Sequence, residues 1–170
     1  ENEGGVMPFA EGLYGCSEML VNGLLVLLDA GIIRRKVYPD VALQKLANAG
    51  VLDESIHGNG VLIHGGFFLG PRSFYERLRE FTPTQMAQIN ITAISYINEL
   101  YGDETLKRLQ RRDARSLNSA FTVTLLGAAV SDHLAAGRVV RGVGGQSHFV
   151  APGPAPDVPC SLLALPCWPH

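Results

Sequence analysis

The sequence predicts an α/β layered domain, and three observations carry that expectation. Hydrophobic residues make up 46% of the 170 residues, enough for one sizeable core. Short apolar runs bounded by glycine, such as Gly60-Val61-Leu62-Ile63-His64-Gly65-Gly66, read as buried strands. Between such runs lie segments whose apolar residues recur at helical spacing. That alternation indicates helices layered on a sheet, here a mixed sheet with flanking helices.

Residues 1–12, with Gly4, Gly5 and Pro8, read as an irregular lead-in. Residues 13–16 read as a strand end. From Ser17 the pattern turns helical, with Ser17 as N-cap and Gly31 as the stop. Met19, Leu20, Leu24, Leu27 and Leu28 share the helical spacing. A helix apolar nearly all round is expected to be deeply buried. A second helix spans 41–49, capped by Asp40 and ended by Gly50. Pro71 opens a helix through about Arg79, and Thr82-Pro83-Thr84 starts a short helical turn. Residues 89–97, rich in β-branched side chains, read as strand, and 103–112 as a charged helix. Residues 121–125 and 138–141 alternate like strands. The last twenty residues hold six of the ten prolines, which suit neither a helix nor an interior strand. Residues 151–170 are therefore expected to be a loosely ordered tail behind a domain of residues 13–150.

The formal charge of −2 gives none of the basic excess that binding to a nucleic-acid backbone demands. The longest apolar stretch, 19–28, is broken by Asn22-Gly23 and is too short to span a bilayer. The first residues are acidic and glycine-rich and do not read as a signal peptide. Cys16, Cys160 and Cys167 are an odd number and lack the spacing of a metal site. The five histidines are scattered, so a metal is not expected. A reducing, cytoplasmic setting is the default.

Two motifs stand out as carriers of chemistry. The first is Leu13-Tyr14-Gly15-Cys16-Ser17-Glu18-Met19, an acid at the head of an apolar run. A glutamate near a helix start is ordinarily a capping residue or a partner of the helix dipole. Glu18, set among Cys16, Met19 and Leu20, should see little water, and a carboxylate there needs a partner or a purpose. Glu11 is the competing acid. The second motif is Gly142-Val143-Gly144-Gly145-Gln146-Ser147-His148-Phe149. Most glycine clusters are turns. The functional reading is a turn whose backbone N–H groups face an acyl oxygen. Gly65 and Gly66, before Phe67, Phe68 and Pro71, sit at an expected strand-to-helix junction. Such a junction is either an anion-binding loop or a tight turn. Lys107, Arg108, Arg111, Arg112 and Arg115 form a solvated helix face or, less ordinarily, a phosphate contact.

In this order and about this far apart, the two motifs resemble the C-terminal domain of the acetyl-CoA hydrolase/transferase family, which includes the 4-hydroxybutyrate and succinyl-CoA:acetate CoA-transferases. Ser17-Glu18-Met19 with Asn22-Gly23 is similar to the family's catalytic segment, with Cys16 where histidine is common. Gly142, Gly144, Gly145, Gln146 and Phe149 match the glycine signature, with His148 where aspartate is common. Asn118-Ser119-Ala120 stands where the family has a similar asparagine segment. The resemblance covers 13–150 and implies the C-terminal half of the two-domain class I CoA-transferase fold. It implies Glu18 as nucleophile, with Gly144 and Gly145 supplying oxyanion donors. Gly142, Gln146, Gly65, Gly66 and Asn118 are the expected contacts to coenzyme A. Acyl-CoA and a small carboxylate are the implied substrates, with no metal and a homo-oligomer as the expected assembly. The competing expectations are a catalytically silent CoA-binding or assembly module and a phosphate-ligand domain using the Gly65-Gly66 loop.

Overall fold

The computed structural model describes residues 11–55, 58–120, 122–123, 125–126, 129–130 and 160–164. The chain forms two compact units, residues 1–111 and 112–170. In the first unit the elements are β1 (Gly15–Leu20), α1 (Asn22–Asp29), α2 (Val41–Asn48), β2 (Ile63–Phe68), α3 (Arg72–Arg79), α4 (Pro83–Met86), β3 (Ile89–Ile91), α5 (Ile94–Asn98) and α6 (Glu104–Gln110). In the second, β4 (Arg115–Ser119) pairs in parallel with β7 (Cys160–Ala164). There β5 (Thr122–Val123) pairs antiparallel with β6 (Ala129–Val130).

The α/β class holds. Parallel and antiparallel pairings both occur, but not in one central mixed sheet. The three strands of the first unit form a wholly parallel sheet in the order β1-β2-β3. Parallel neighbours need helical crossovers, and α1–α2 and α3–α4 supply the intervening chain. Cys160–Ala164 forms a strand inside the segment expected to be a loose tail.

Glycine stops are where the sequence places them. Gly31 (φ +67°) and Gly50 (φ +69°) adopt left-handed backbone conformations that favour glycine. Behind Gly31, the N–H groups of Gly31 and Ile32 donate to the carbonyls of Leu28 and Leu27. Behind Gly50, Gly50 and Val51 donate to Ala47 and Leu46. Both pairs are Schellman caps. Asp40 accepts from the N–H groups of Ala42 and Leu43 at the start of α2, and Thr82 forms a capping box with Gln85.

Three sequence expectations change. Ser17 does not cap a helix; its hydroxyl donates to the Met19 carbonyl, and the chain stays extended to Leu20. The ladder to β2 decides this: the apolar spacing at Met19 and Leu20 suits either state, and pairing with Phe67 and Phe68 selects the strand. Residues 89–97 split into β3 and α5, because β3 ends where its partner strand passes Gly65. The segment 19–28 is not uniformly buried: Leu20 and Leu25 are 0% exposed, but Val26 is 51% exposed. The core instead gathers Leu20, Leu25, Ile33, Leu62, Ile63, Phe74 and Ile89.

That one-sided packing of α1 can be tested by urea unfolding. Leu25→Ala should cost about 2–5 kcal/mol by leaving a cavity. Val26→Ala should stay within about 0.5 kcal/mol. Equal losses at the two sites would contradict this packing.

Candidate active site

Glu18 lies inside β1, half-buried, not at a helix head. Strand alternation puts it on the same face as Cys16. The ladder pairs Cys16 with His64, Ser17 with Gly65 and Met19 with Phe67, so Gly66 runs beside Glu18. A Cβ at Gly66 would lie 2.8 Å from the Glu18 carbonyl oxygen and would overlap the Ile94 side chain. The missing side chain lets α5 settle over β1 and β2.

The last residue of α5 then reaches the acid. Asn98 Nδ2 donates to Glu18 Oε1 at 2.5 Å across eighty residues of sequence. Asn98 is 8% exposed, and its Oδ1 is buried without a hydrogen-bond partner among the described residues.

Two cations of α6 and its C-cap hold α5 in place. Lys107 Nζ donates to the carbonyls of Glu99 (2.7 Å) and Tyr101 (3.1 Å), and one Arg111 nitrogen donates to those of Tyr96 and Ile97, both at 3.0 Å. These oxygens belong to the end of α5 and the chain leaving it, where a helix lacks internal donors. Lys107 is 3% exposed and lies 4.8 Å from the centroid of the Tyr96 ring. Burial, and then the neighbouring Arg111, lower its pKa. The sequence reading of these cations as a solvated face or a phosphate contact misses this role. Their helical spacing does not distinguish the Lys107–Arg111 pair from Arg108, which pairs with Glu104 across one turn.

Beside this pair, His64 on β2 is buried. Its Nδ1 is hydrogen-bonded to the Tyr14 hydroxyl at 2.7 Å, and its ring packs on Tyr96. Burial, aided by Arg111, pulls its pKa from 6.5 to about 4. Burial also pushes the Tyr14 phenol well up. His64 and Tyr96 line an open cleft of about 310 Å³ together with Asn59, Asn90, Thr92 and Asp103. Glu18 is not among the residues lining that cleft. The two are linked through β2, which carries both His64 and Gly66, and through α5, which carries both Tyr96 and Asn98.

The other expected site residues fare differently. Gly65 and Gly66 lie inside β2, not in an anion-binding loop; the turn to α3 follows at residues 69–71. Asn118 lies on β4 of the second unit, and its Nδ2 is buried without a partner among the described residues. Gly142, Gly144, Gly145 and Gln146 lie outside the described residues. Among the described residues, no group of three His, Cys, Asp or Glu side chains is placed to hold a metal. Nor is any helix among them long and apolar enough to cross a membrane.

The model of the acetyl-CoA hydrolase/transferase C-terminal domain matches residues 70–169 of this chain. The chain therefore belongs to that family. The matched residues include Asn98, Asn118 and the glycine motif, and they run through the proline-rich end; Glu18 precedes them. No curated protein and no solved structure matches the chain at a significant level.

The buried His64 makes a prediction about acid stability. Its folded pKa lies below its ordinary value, so between pH 6.5 and about 4 the unfolded chain holds a proton that the folded chain refuses. Stability should be whole above pH 6.5 and fall through that window as pH drops, by at most about 1.4 kcal/mol per pH unit. Urea unfolding across the window should show that His64→Gln removes this component. An unchanged pH slope in the variant would contradict it.

Proposed function

We propose that this member of the acetyl-CoA hydrolase/transferase family transfers or hydrolyses acyl-CoA through a covalent adduct on Glu18. The observation that carries the reading is the setting of Glu18. It is a half-buried carboxylate on a parallel strand, with one oxygen held by a buried amide, in a chain of this family.

The chemistry follows from what a fixed carboxylate can do. A Glu18 oxygen attacks the acyl carbonyl carbon, the C–S bond breaks, and CoA leaves as thiolate. The products are a mixed anhydride and the free thiolate. The thiolate returns to the Glu18 Cδ and expels the acyl group as a carboxylate, which carries away one Glu18 oxygen. The enzyme is left as a glutamyl-CoA thioester. An acceptor carboxylate reverses the sequence and becomes the new acyl-CoA; water instead regenerates Glu18 and free CoA. Backbone N–H groups at Gly144 and Gly145 are proposed to hold the oxyanions of these steps, with Gly142, Gln146 and Asn118 contacting CoA. Coenzyme A enters as part of the substrate, and the scheme calls for no metal.

The family name refers to a C-terminal domain, and we propose that an N-terminal half completes the site. Met19, Phe67 and Ile91 lie on the three parallel strands and remain exposed. Apolar surface of this kind suits a partner, most simply a second copy of the chain.

The test is chemical trapping. The protein is incubated with acetyl-CoA, quenched with borohydride or hydroxylamine, and peptide-mapped by mass spectrometry. Modification should map to Glu18 alone. Glu18→Ala should abolish it. Glu18→Asp should slow it by about 10²-fold, since a shorter side chain withdraws the carboxylate by about 1 Å. CoA binding with no covalent product would favour a silent binding module, and full labelling of Glu18→Ala protein would sink the mechanism.

A further inference from the structure

We infer that Cys16 is a second acyl acceptor beside Glu18: its thiol takes the acyl group from the mixed anhydride, and Tyr14 relays the thiol proton toward His64. The inference rests on the reading of Glu18 as nucleophile and adds a branch to it.

Three side chains of the β1–β2 region form the constellation. Cys16 is a free, half-buried cysteine two residues before Glu18 on the same face of β1. That spacing sets the two Cα atoms about 7 Å apart, within reach of an acyl group carried on the glutamate. Across the ladder Cys16 pairs with His64. The Tyr14 hydroxyl is hydrogen-bonded to His64 Nδ1 at 2.7 Å and also interacts with the Cys16 side chain. Burial first, and then Cys16, keep that phenol protonated. It can therefore give one proton to the imidazole as it receives another from the thiol. His64 binds protons weakly and lines the open cleft, so it passes the proton on to water there. A thiol, a hydroxyl and an imidazole in sequence are the parts of an activated nucleophile. A cysteine kept only as a small apolar side chain needs no such relay.

The step balances. The Cys16 sulfur bonds the acyl carbon, the anhydride C–O bond breaks, and Glu18 leaves as a carboxylate. The thiol proton goes to the Tyr14 oxygen, and the Tyr14 proton goes to His64 Nδ1. An anhydride is more activated than a thioester, so the step runs downhill. Exchange of one thioester for another is nearly balanced, so free CoA can reclaim the acyl group. Cys16 thus holds the acyl group when CoA thiolate has escaped and returns it when free CoA is present.

The experiment maps acyl groups by mass spectrometry after incubation with acetyl-CoA and an acid quench. Hydroxylamine and borohydride would both return an S-acetyl cysteine to the free thiol, so neither is used. The two adducts differ in mass: CoA on Glu18, acetyl on Cys16. Wild type should carry acetyl on Cys16, and added free CoA should suppress it. Glu18→Ala should lose it, because no anhydride forms. Tyr14→Phe should slow acetylation of Cys16 by about 10²-fold while the yield of the Glu18 adduct is unchanged. A merely structural role for Tyr14 would move both adducts together. If that variant does not fold, the wild-type map and its dependence on free CoA decide. A Glu18 adduct with Cys16 unmodified overturns the inference and leaves the role of Glu18 standing. Acetylation of Cys16 at the wild-type rate in Glu18→Ala overturns the anhydride route. Absence of both adducts in wild type overturns both readings.

Discussion

The register of β1 against β2 is the constraint on which the candidate site depends. Pairing Ser17 with Gly65 and Met19 with Phe67 sets Glu18 beside Gly66. A one-residue slip would reverse the faces of the strand and turn Glu18 away from α5. A side chain at position 66 would meet the Glu18 carbonyl and Ile94 and lift α5 from the sheet. Register and glycine together convert a distant sequence pair, Glu18 and Asn98, into a hydrogen bond.

The helix that carries Asn98 is only five residues long and could not hold itself in place. It borrows rigidity from α6. Beyond the two cations, Gln110 Nε2 donates to the Tyr38 carbonyl, and Gln44 Oε1 accepts from the Tyr38 N–H. Asn48 Nδ2 donates to the Leu109 carbonyl, which ties α2 to α6. Gln44, Lys107 and Gln110 are all buried. Polar groups so placed are costly unless partnered; here Lys107 bonds backbone carbonyls, and Gln44 and Gln110 each bond backbone of Tyr38 as well as a side chain, Asn48 and Tyr96 respectively. The polar interior of this unit thus serves to fix α5 and, through it, the geometry around Glu18.

Much of the fold was legible in the sequence because the punctuation is local. Asp40, Thr82, Gly31 and Gly50 cap or stop helices through interactions within a few residues, and a sequence carries that information directly. The state of residues 17–20 was not legible, since it is decided by pairing with a strand some fifty residues on. The same holds at 89–97, where β3 pairs with β2 only from Ile63 to Gly65 before the chain turns into α5. Glu18 could be singled out because an acid in an apolar run is unusual. Asn98 could not, since Tyr96-Ile97-Asn98-Glu99 has no pattern of its own, and only the meeting of α5 with Gly66 gives it meaning. Lys107 and Arg111 looked like surface charge for a related reason: helical spacing does not reveal which positions face orphan carbonyls.

The proposed chemistry requires that a Glu18 oxygen leave with the acyl group. One turnover of acetyl-CoA in heavy-oxygen water tests it most directly, with mass analysis of both the released acetate and the peptide containing Glu18. The expected products are acetate free of the heavy isotope and one heavy oxygen in the Glu18 carboxyl, because water enters only when the glutamyl thioester is hydrolysed. Heavy oxygen in the first-turnover acetate, with none in Glu18, would contradict it.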